Sequence, residues 1–295
     1  MIIDSHQHFW DITKDDYTWL TPDAGSIYRS FGPDDLLKEM KTSRVDYAIT
    51  VQAANTHDDT RRMLEQAQAN AQIAGVVAWL PLEDPGATAE TLEEYFQSSV
   101  SSYLKGVRHL MHDEPDEDWI VRPDVMASLE LLAERELPLD FIALWPKHIA
   151  HIPTLCRAIP DLTIVLDHLG KPNPFRSMPR QWADDLAKIA RHDNVFVKYS
   201  GLNTPVGLSQ PCHFSAQDIH PFLRVAHDAF GPDRILWGSD WPISLTNGSY
   251  RNWLEASVAA AEMLGQSARD KIMAGNAVDV YRLNLGGLRA HAPGK

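Results

Sequence analysis

The sequence predicts an α/β fold, a (β/α)8 TIM barrel, because short apolar runs alternate regularly with helical stretches. Eight runs have the length and β-branched composition of strands, and they lack the polar alternation of half-exposed strands, which is typical of parallel strands buried on both faces. Units of about 30 residues favour right-handed βαβ connections, and eight such units favour closure into a barrel. The predicted strands are residues 2–5, 46–51, 75–80, 104–108, 137–141, 162–166, 195–199 and 234–238.

The stretches between these runs carry apolar residues at helical spacing. The first, Pro33–Ser43, opens with Asp34 and Asp35, whose charges complement a helix dipole. The alternative fold is a doubly wound open sheet, but that fold would usually have a glycine-rich phosphate turn after its first strand. Here the first strand runs into His-Gln-His-Phe-Trp instead. The other predicted helices are residues 60–74, 88–98, 123–135, 153–159, 179–192, 221–230 and 250–264.

No linker, low-complexity segment or charge run divides the chain. We therefore expect one domain over residues 1–295, with a short tail from about residue 286. The irregular stretches 10–32, 112–122, 171–178 and 202–220 all follow predicted strands. In a parallel barrel that is the end where active sites are built.

Composition excludes several classes of partner. The chain has 295 residues, a net charge of −13 and 44% hydrophobic residues. An acidic chain without a basic patch is not expected to bind nucleic acid or an anionic membrane surface. No apolar run approaches the ~20 residues that span a bilayer, and no signal peptide is visible. With only Cys156 and Cys212, a disulfide framework is excluded and a cytoplasmic location is predicted.

Two histidines stand at the end of the first predicted strand. His6 and His8 are two residues apart, so on a strand both side chains project to the same face. Two imidazoles in that arrangement can share a divalent metal ion or hydrogen-bond one substrate oxygen. The same pair could also be two surface histidines at a strand end.

Two further polar residues follow other strands. His168 comes directly after the sixth run, and Asp240 lies beside Gly238 after the eighth run. A carboxylate at that rim can act as a general base or as a metal ligand. In isolation, His168 could be structural and Asp240 could cap a turn. Because all four residues converge on one barrel mouth, and strand eight neighbours strand one, a catalytic site is the better interpretation.

Several motifs in this order resemble the amidohydrolase superfamily, most closely its sugar-lactone and aromatic-lactone hydrolases. The resemblance covers nearly the whole chain, and it implies the barrel fold, an attacking water activated by Asp240, and His6, His8 and His168 placed around that water. The motifs are DSHQHFWD, LKGVRHL, LDHLGKP, KYSGL, WGSDWP and GNAVDVYRL.

The sequence departs from the binuclear members of that superfamily. Those members carry a bridging lysine or glutamate after strand four and a histidine after strand five. Here Lys105 lies early in strand four, and the fifth run ends Leu-Asp-Phe. A two-metal site is therefore not expected. The four core residues would hold one divalent ion, Zn²⁺ or Mn²⁺, or would act without a metal as some lactonases of this group do.

Other polar and aromatic residues near the predicted mouth are candidates for substrate contact. Arg108, Lys171 and Lys198 could bind a carboxylate or hydroxyl groups, or could pair with carboxylates of the chain. Gln52 and Asn55 follow the second strand. Indole faces suit the apolar face of a sugar ring, although packing is the commoner role of tryptophan. The tryptophans in rim segments are Trp10, Trp19, Trp145 and Trp241.

These residues together predict hydrolysis of a small lactone, such as L-fucono- or L-rhamnonolactone. Asp240 would take a proton from water while the histidines or a bound ion stabilise the oxyanion. The choice of a sugar-acid lactone follows from the resemblance. The alternatives are a metal-dependent decarboxylase of an aromatic or unsaturated acid and a non-catalytic sugar-acid binding protein. Nothing in the sequence specifies the number of subunits.

Overall fold

A computed structural model describes residues 1–15, 17–172, 178–204 and 214–286, and in it eight parallel strands form one sheet in chain order. Each strand pairs with the next along the chain, as the predicted (β/α)8 TIM barrel requires. The strands are β1 Ile3–Gln7, β2 Tyr47–Val51, β3 Ile73–Ala78, β4 Leu104–Arg108, β5 Leu139–Phe141, β6 Ile164–Leu166, β7 Val195–Tyr199 and β8 Ile235–Trp237.

The barrel is closed by backbone hydrogen bonds between β1 and the residues that follow β8. The N–H of His8 donates to the carbonyl of Trp241 at 2.7 Å, and the N–H of Asp240 donates to the carbonyl of His6 at 2.8 Å. Closure therefore places the end of the first strand beside the segment that carries Asp240.

Helices cover the outside of the strands, and three of the described helices follow the last strand along the chain. Apolar side chains between the strands and these helices form the main core. No helix among the described residues has the length and apolar character needed to cross a bilayer. The helices are α1 Pro33–Ser43, α2 His57–Ala69, α3 Pro85–Gln97, α4 Pro123–Glu134, α5 Ile152–Ala158, α6 Arg180–Ile189, α7 Ala216–Phe230, α8 Tyr250–Glu262, α9 Gln266–Asp270 and α10 Asn276–Val280.

The largest differences between the predicted and observed helix limits are in α2 and α7. The N–H of Asp59 donates to the Thr56 side chain, so α2 begins earlier than predicted, and residues 73–74 belong to β3. Ser215 and Asp218 form a capping box that starts α7 five residues before Pro221, which lies inside the helix. Local capping outweighed the preference of proline for the first helical position.

The C-terminal segment packs against the amino ends of the strands. The side chain of Asn276 donates to the carbonyls of Pro232 and Ile235, where β8 begins. Tyr281 and Leu283 join a smaller apolar cluster with side chains of β1, β2, β3, β6 and β8. The predicted tail falls mainly on residues 287–295, which lie outside the described residues.

Candidate active site

The ends of β1 and β8 bring three polar side chains together. The Nε2 atoms of His6 and His8 are 3.2 Å apart. Oδ1 of Asp240 lies 3.4 Å from Nε2 of His8 and 3.8 Å from Nε2 of His6. All three residues are buried. The two histidines therefore face the carboxylate, as strand alternation and barrel closure predict.

This close approach depends on Gly238. A Cβ at that position would lie 2.5 Å from Cβ of His6, so only glycine lets β8 and β1 meet here. Asp240 itself has φ +56°, a left-handed conformation that is uncommon outside glycine. The backbone is thus locally strained where it presents the carboxylate.

His168 reaches the same place through a left-handed turn after β6. His168, Leu169, Gly170 and Lys171 have consecutive φ values of +56°, +52°, +74° and +58°. Each non-glycine residue in this region costs roughly 1–2 kcal/mol. The imidazole of His168 lies 4.6 Å from that of His6, centroid to centroid, and its Nδ1 is 2.9 Å from Oγ of Ser200. We call His6, His8, His168 and Asp240 the mouth cluster.

A second polar group lies on the other side of the His6 ring. The ammonium of Lys198 contacts Asp140, and it lies 3.2 Å from Oδ1 of Asp167 and 3.0 Å from Nδ1 of His6. The hydroxyl of Tyr281 donates to Asp140 at 2.7 Å. None of these side chains is open to solvent. We call Lys198, Asp140, Asp167 and Tyr281 the sealed cluster.

Arg108 links the two clusters. Its Nη1 donates to Oδ2 of Asp167 at 3.0 Å and lies 3.3 Å from Nε2 of His6. Its Nη2 donates to the carbonyl of Gln52 at 2.5 Å. With Arg108 and Lys198 opposite Asp140 and Asp167, two positive groups face two carboxyl groups.

Burial sets the charge of the mouth cluster. It lowers the pKa of His168 to about 4, against the attraction of Asp240, and it also lowers the pKa values of His6 and His8. Burial alone would raise the pKa of Asp240, but attraction to His168 and contact with His8 hold that pKa below its usual value. At neutral pH the cluster therefore carries neutral imidazoles and one carboxylate.

A cavity of about 210 Å³ opens above the mouth cluster. Burial lowers the pKa of Lys171, which lines the cavity and has no carboxylate partner among the described residues. Nδ1 of His112 is also buried, and it has no hydrogen-bond partner among the residues that the structure describes. The described residues that line the cavity are His8, Trp19, Ala53, Arg108, Leu110, His112, Ile142, His168, Lys171, Asp240 and Ile243.

Comparison with known proteins identifies the family. The sequence model of a family described as amidohydrolase matches residues 3–283. The chain belongs to the amidohydrolase family. It is 32% identical over 286 residues to an L-fucono-1,5-lactonase of Burkholderia ambifaria, covering 96% of both chains. It is 33% identical to an L-fucono-1,5-lactonase of Burkholderia multivorans, covering 95% of this chain and 96% of that one.

A crystal structure of an amidohydrolase from Burkholderia multivorans with bound zinc has the same fold. Its TM-score is 0.87 at 32% identity, over 96% of this chain and 99% of that one. The sequence-based prediction of the family and of the barrel is confirmed by these comparisons.

The mouth cluster of this amidohydrolase fits one divalent metal ion. Nδ1 of His8 lies 2.8 Å from the carbonyl of Val51 and must donate to it, so in the neutral ring Nε2 carries a lone pair. That lone pair faces the Asp240 carboxylate, an arrangement that a cation between them would stabilise. The ligand atoms of His6, His8 and Asp240 lie within 4.8 Å of one another. Ligands of tetrahedral Zn²⁺, at about 2.0–2.1 Å from the metal, are spaced similarly.

A second group of residues could also bind a metal ion. It consists of His6, Asp167 and His168, and their ligand atoms likewise lie within 4.8 Å of one another. Both oxygens of Asp167, however, already face the cations Arg108 and Lys198. Lys105, the lysine of strand β4, donates to the carbonyl of Arg282 at the base of the barrel. The set with His8 and Asp240 is therefore the better metal site.

Some predicted substrate contacts are not brought to the observed cavity wall. Trp10 is buried and donates to the carbonyl of Arg29, and Trp145 donates to Asp185. Trp241 packs edge-on against Phe31. These indoles are engaged by the chain itself, and Trp19 is the rim tryptophan that lines the cavity.

The polar candidates divide in the same way. Arg108 and Lys171 line the cavity, as predicted. Gln52 is buried behind Arg108, and its side chain donates to Asn55 at 3.0 Å. Lys198, proposed from the sequence as a substrate contact, is enclosed in the sealed cluster instead.

Two residues that matter here were missed by the sequence reasoning. Asp167 stands beside His168 in the motif LDHLGKP, where it is the carboxylate that faces Arg108 and Lys198. His112 follows β4 in an irregular stretch. A polar residue directly after a strand is the signal that could have identified Asp167, whereas the position of His112 depends on the fold of its loop.

Proposed function

We propose that this amidohydrolase is a lactonase that hydrolyses the ester bond of a sugar-acid lactone, such as L-fucono- or L-rhamnonolactone. The observation that carries the proposal is the ionised Asp240 among three neutral histidines, on the wall of a cavity large enough for a small molecule. The relatives named L-fucono-1,5-lactonase, similar over nearly the whole chain, support the same reaction. The chain is accordingly assigned as a hydrolase acting on a carboxylic ester.

In this mechanism Asp240 is the general base. Its low pKa keeps it ionised at neutral pH, and it accepts the proton of the water that attacks the lactone carbonyl. Proton transfer by a positioned side chain accelerates such reactions by about 10²–10⁴-fold. Asp240 then returns the proton to the ring oxygen as the C–O bond breaks.

The histidines orient the water, and Arg108 stabilises the oxyanion. Hydrogen bonds to the Val51 carbonyl and to Ser200 fix the rings of His8 and His168. A divalent ion held by His6, His8 and Asp240 would supply Lewis-acid polarisation of the carbonyl. Arg108 places a positive charge beside Nε2 of His6 and can stabilise the oxyanion directly.

Lys171 and His112 are the proposed contacts to the rest of the substrate. The ammonium of Lys171 offers hydrogens to substrate hydroxyls and to the carboxylate formed on ring opening. The unpartnered Nδ1 of His112 can hydrogen-bond a further hydroxyl. Leu110, Ile142 and Ile243 form the apolar part of the wall. A cytoplasmic location and the absence of nucleic-acid and membrane partners stay predictions from composition.

The test is acid release from a panel of 1,4- and 1,5-sugar lactones, followed with a pH indicator with and without a chelator. We expect hydrolysis of at least one deoxyhexonolactone. Activity that survives chelation would assign stabilisation of the oxyanion to Arg108, His6 and His168. Activity lost to the chelator and restored by Zn²⁺ or Mn²⁺ would make the mouth cluster a metal site.

Two results would overturn the proposal. Absence of acid release from the folded, metal-supplemented protein would exclude the lactonase. CO₂ release from an aromatic or unsaturated acid would then favour the decarboxylase. Lactone binding without turnover, left intact in Asp240→Asn, would favour the binding protein.

A further inference from the structure

Lys198 is a buried lysine for which the proposed mechanism has no use. Its side chain is fully enclosed, and its ammonium hydrogen-bonds Asp140 and Nδ1 of His6 and forms an ion pair with Asp167. Asp140 is held in turn by the hydroxyl of Tyr281. A lysine so constrained has a defined direction, and that direction is toward a ring of the mouth cluster.

Nδ1 of His6 has two neighbours of opposite character. The Lys198 ammonium, 3.0 Å away, can only donate a hydrogen bond to it, whereas Oδ1 of Asp167, 3.2 Å away, can only accept one. A neutral imidazole carries one hydrogen, so the two contacts are mutually exclusive. If Lys198 donates to Nδ1, the hydrogen of His6 is on Nε2. If Nδ1 donates to Asp167, Nε2 presents a lone pair to the mouth.

We propose that Lys198 is a positioning residue that acts through His6, in opposition to Asp167, by selecting which ring nitrogen carries the hydrogen. The Lys198-selected form presents an N–H to the mouth, a donor for an oxyanion or for the Nε2 lone pair of His8, 3.2 Å away. The Asp167-selected form presents a lone pair, the form that binds a metal ion. The balance between these neighbours therefore sets the affinity of the mouth for a divalent cation. Only the catalytic consequence rests on the proposed function.

Arg108 takes part in the same balance. Its Nη1 lies 3.3 Å from Nε2 of His6 and can hydrogen-bond that atom only when it carries a lone pair. Arg108 therefore favours the Asp167-selected form, while its bond to Oδ2 of Asp167 keeps that carboxylate in place. The charged and titratable groups around the His6 ring are thus Lys198, Asp167, Arg108 and the mouth residues His8, His168 and Asp240.

The first test is Zn²⁺ affinity, measured by competition with a chromophoric chelator in the absence of lactone. The variant Lys198→Met/Asp140→Asn removes one positive and one negative group, so the buried charge stays balanced. We expect it to bind Zn²⁺ about 10-fold or more tightly than the wild type, because Asp167 remains the sole partner of Nδ1. Asp167→Asn should bind about 10–100-fold more weakly.

A matched control is Lys105→Met, which removes another partly buried barrel lysine far from the mouth. Its Zn²⁺ affinity should equal that of the wild type. A merely structural role for Lys198 and Asp167 would weaken binding in both variants. Changes in the same direction, or no change, would overturn the proposal.

A second measurement uses the wild-type protein and so leaves the sealed cluster unchanged. In the metal-free wild type, the ¹⁵N NMR signals of His6, identified by their loss in His6→Asn, report which nitrogen is protonated. We expect a substantial Nε2–H population, converting to Nδ1–H when Zn²⁺ is added. A ring wholly in the Nδ1–H form without metal would refute the role of Lys198. Because neither readout uses lactone, each can fail while lactone hydrolysis stands.

Discussion

Two groups of polar side chains lie on opposite sides of the His6 ring, and they differ in what surrounds them. The sealed cluster, together with Arg108, sets two positive groups against two carboxyl groups, and its members contact one another. The mouth cluster sets one carboxylate against three neutral imidazoles and opens to a cavity. Both are almost fully buried.

Burial therefore does not separate the structural group from the functional one. The difference lies in charge balance: the charges of the sealed cluster and Arg108 compensate one another, whereas the mouth cluster brings lone pairs and one carboxylate together. Buried polar groups that lack partners are costly unless a ligand supplies them. We therefore expect a ligand to bind at the mouth cluster, whose lone pairs and carboxylate lie beside the cavity.

The largest expected effect comes from the mouth cluster. Asp240→Asn should lower kcat by about 10³-fold or more, because an amide cannot accept the water proton. Its free energy of unfolding should change little. Lactone hydrolysis and urea unfolding measure both quantities, with the exposed Asp161→Asn as the matched control. Near-normal turnover in Asp240→Asn would contradict the assignment of the base.

In the sealed cluster we expect a large effect on the free energy of unfolding. Asp140→Asn leaves a surplus positive charge inside the barrel and should lower the free energy of unfolding by roughly 3–5 kcal/mol. Lys198→Met/Asp140→Asn restores the balance and should recover a large part of that loss. Urea unfolding of the single and double variants makes the comparison. Equal losses in both would show that charge balance is not what stabilises this cluster.

The smallest effect concerns a carboxylate outside both clusters. Asp59 accepts hydrogen bonds from the N–H groups of Ala53 and Ala54, behind the cavity wall, and burial raises its pKa to about 6. Because the folded protein binds this proton more tightly than the unfolded chain does, the Asp59 contribution to stability is full below about pH 4. It is lost as pH rises through about 6.

Asp59→Asn removes that dependence. Its unfolding free energy relative to the wild type should rise between pH 4 and 7 by up to about 3 kcal/mol. Urea unfolding at several pH values gives the difference, and the exposed Asp58→Asn serves as the neighbouring control. A difference independent of pH would mean that the pKa of Asp59 is not raised.

Much of the fold could be predicted because parallel barrel strands are short, apolar and regularly spaced. All eight strands were located, and β4 and β7 have the predicted limits. The errors arose where local capping decides, as at Thr56 and Ser215. Capping depends on side-chain geometry that periodicity does not report.

The four mouth residues could also be predicted to meet, since each lies at or just after the end of a strand. The sequence could not show which of the charged residues around His6 are enclosed and which line the cavity. Lys198 and Arg108 occupy similar positions at the ends of β7 and β4, yet one is enclosed and the other lines the cavity. The sequence likewise could not show which rim tryptophan lines the cavity, because loop packing decides which indole faces it.

Barrel closure between the first and last strands also has a consequence for synthesis. The hydrogen bond from the N–H of Ser239 to Asp4 joins residues 235 positions apart. At about 5–20 residues per second, roughly 10–50 s separate translation of the first histidines from that of their carboxylate partner. A chain cut short before β8 contains His6, His8 and His168 but lacks Asp240, the proposed base. We therefore expect lactone turnover only from a nearly finished polypeptide.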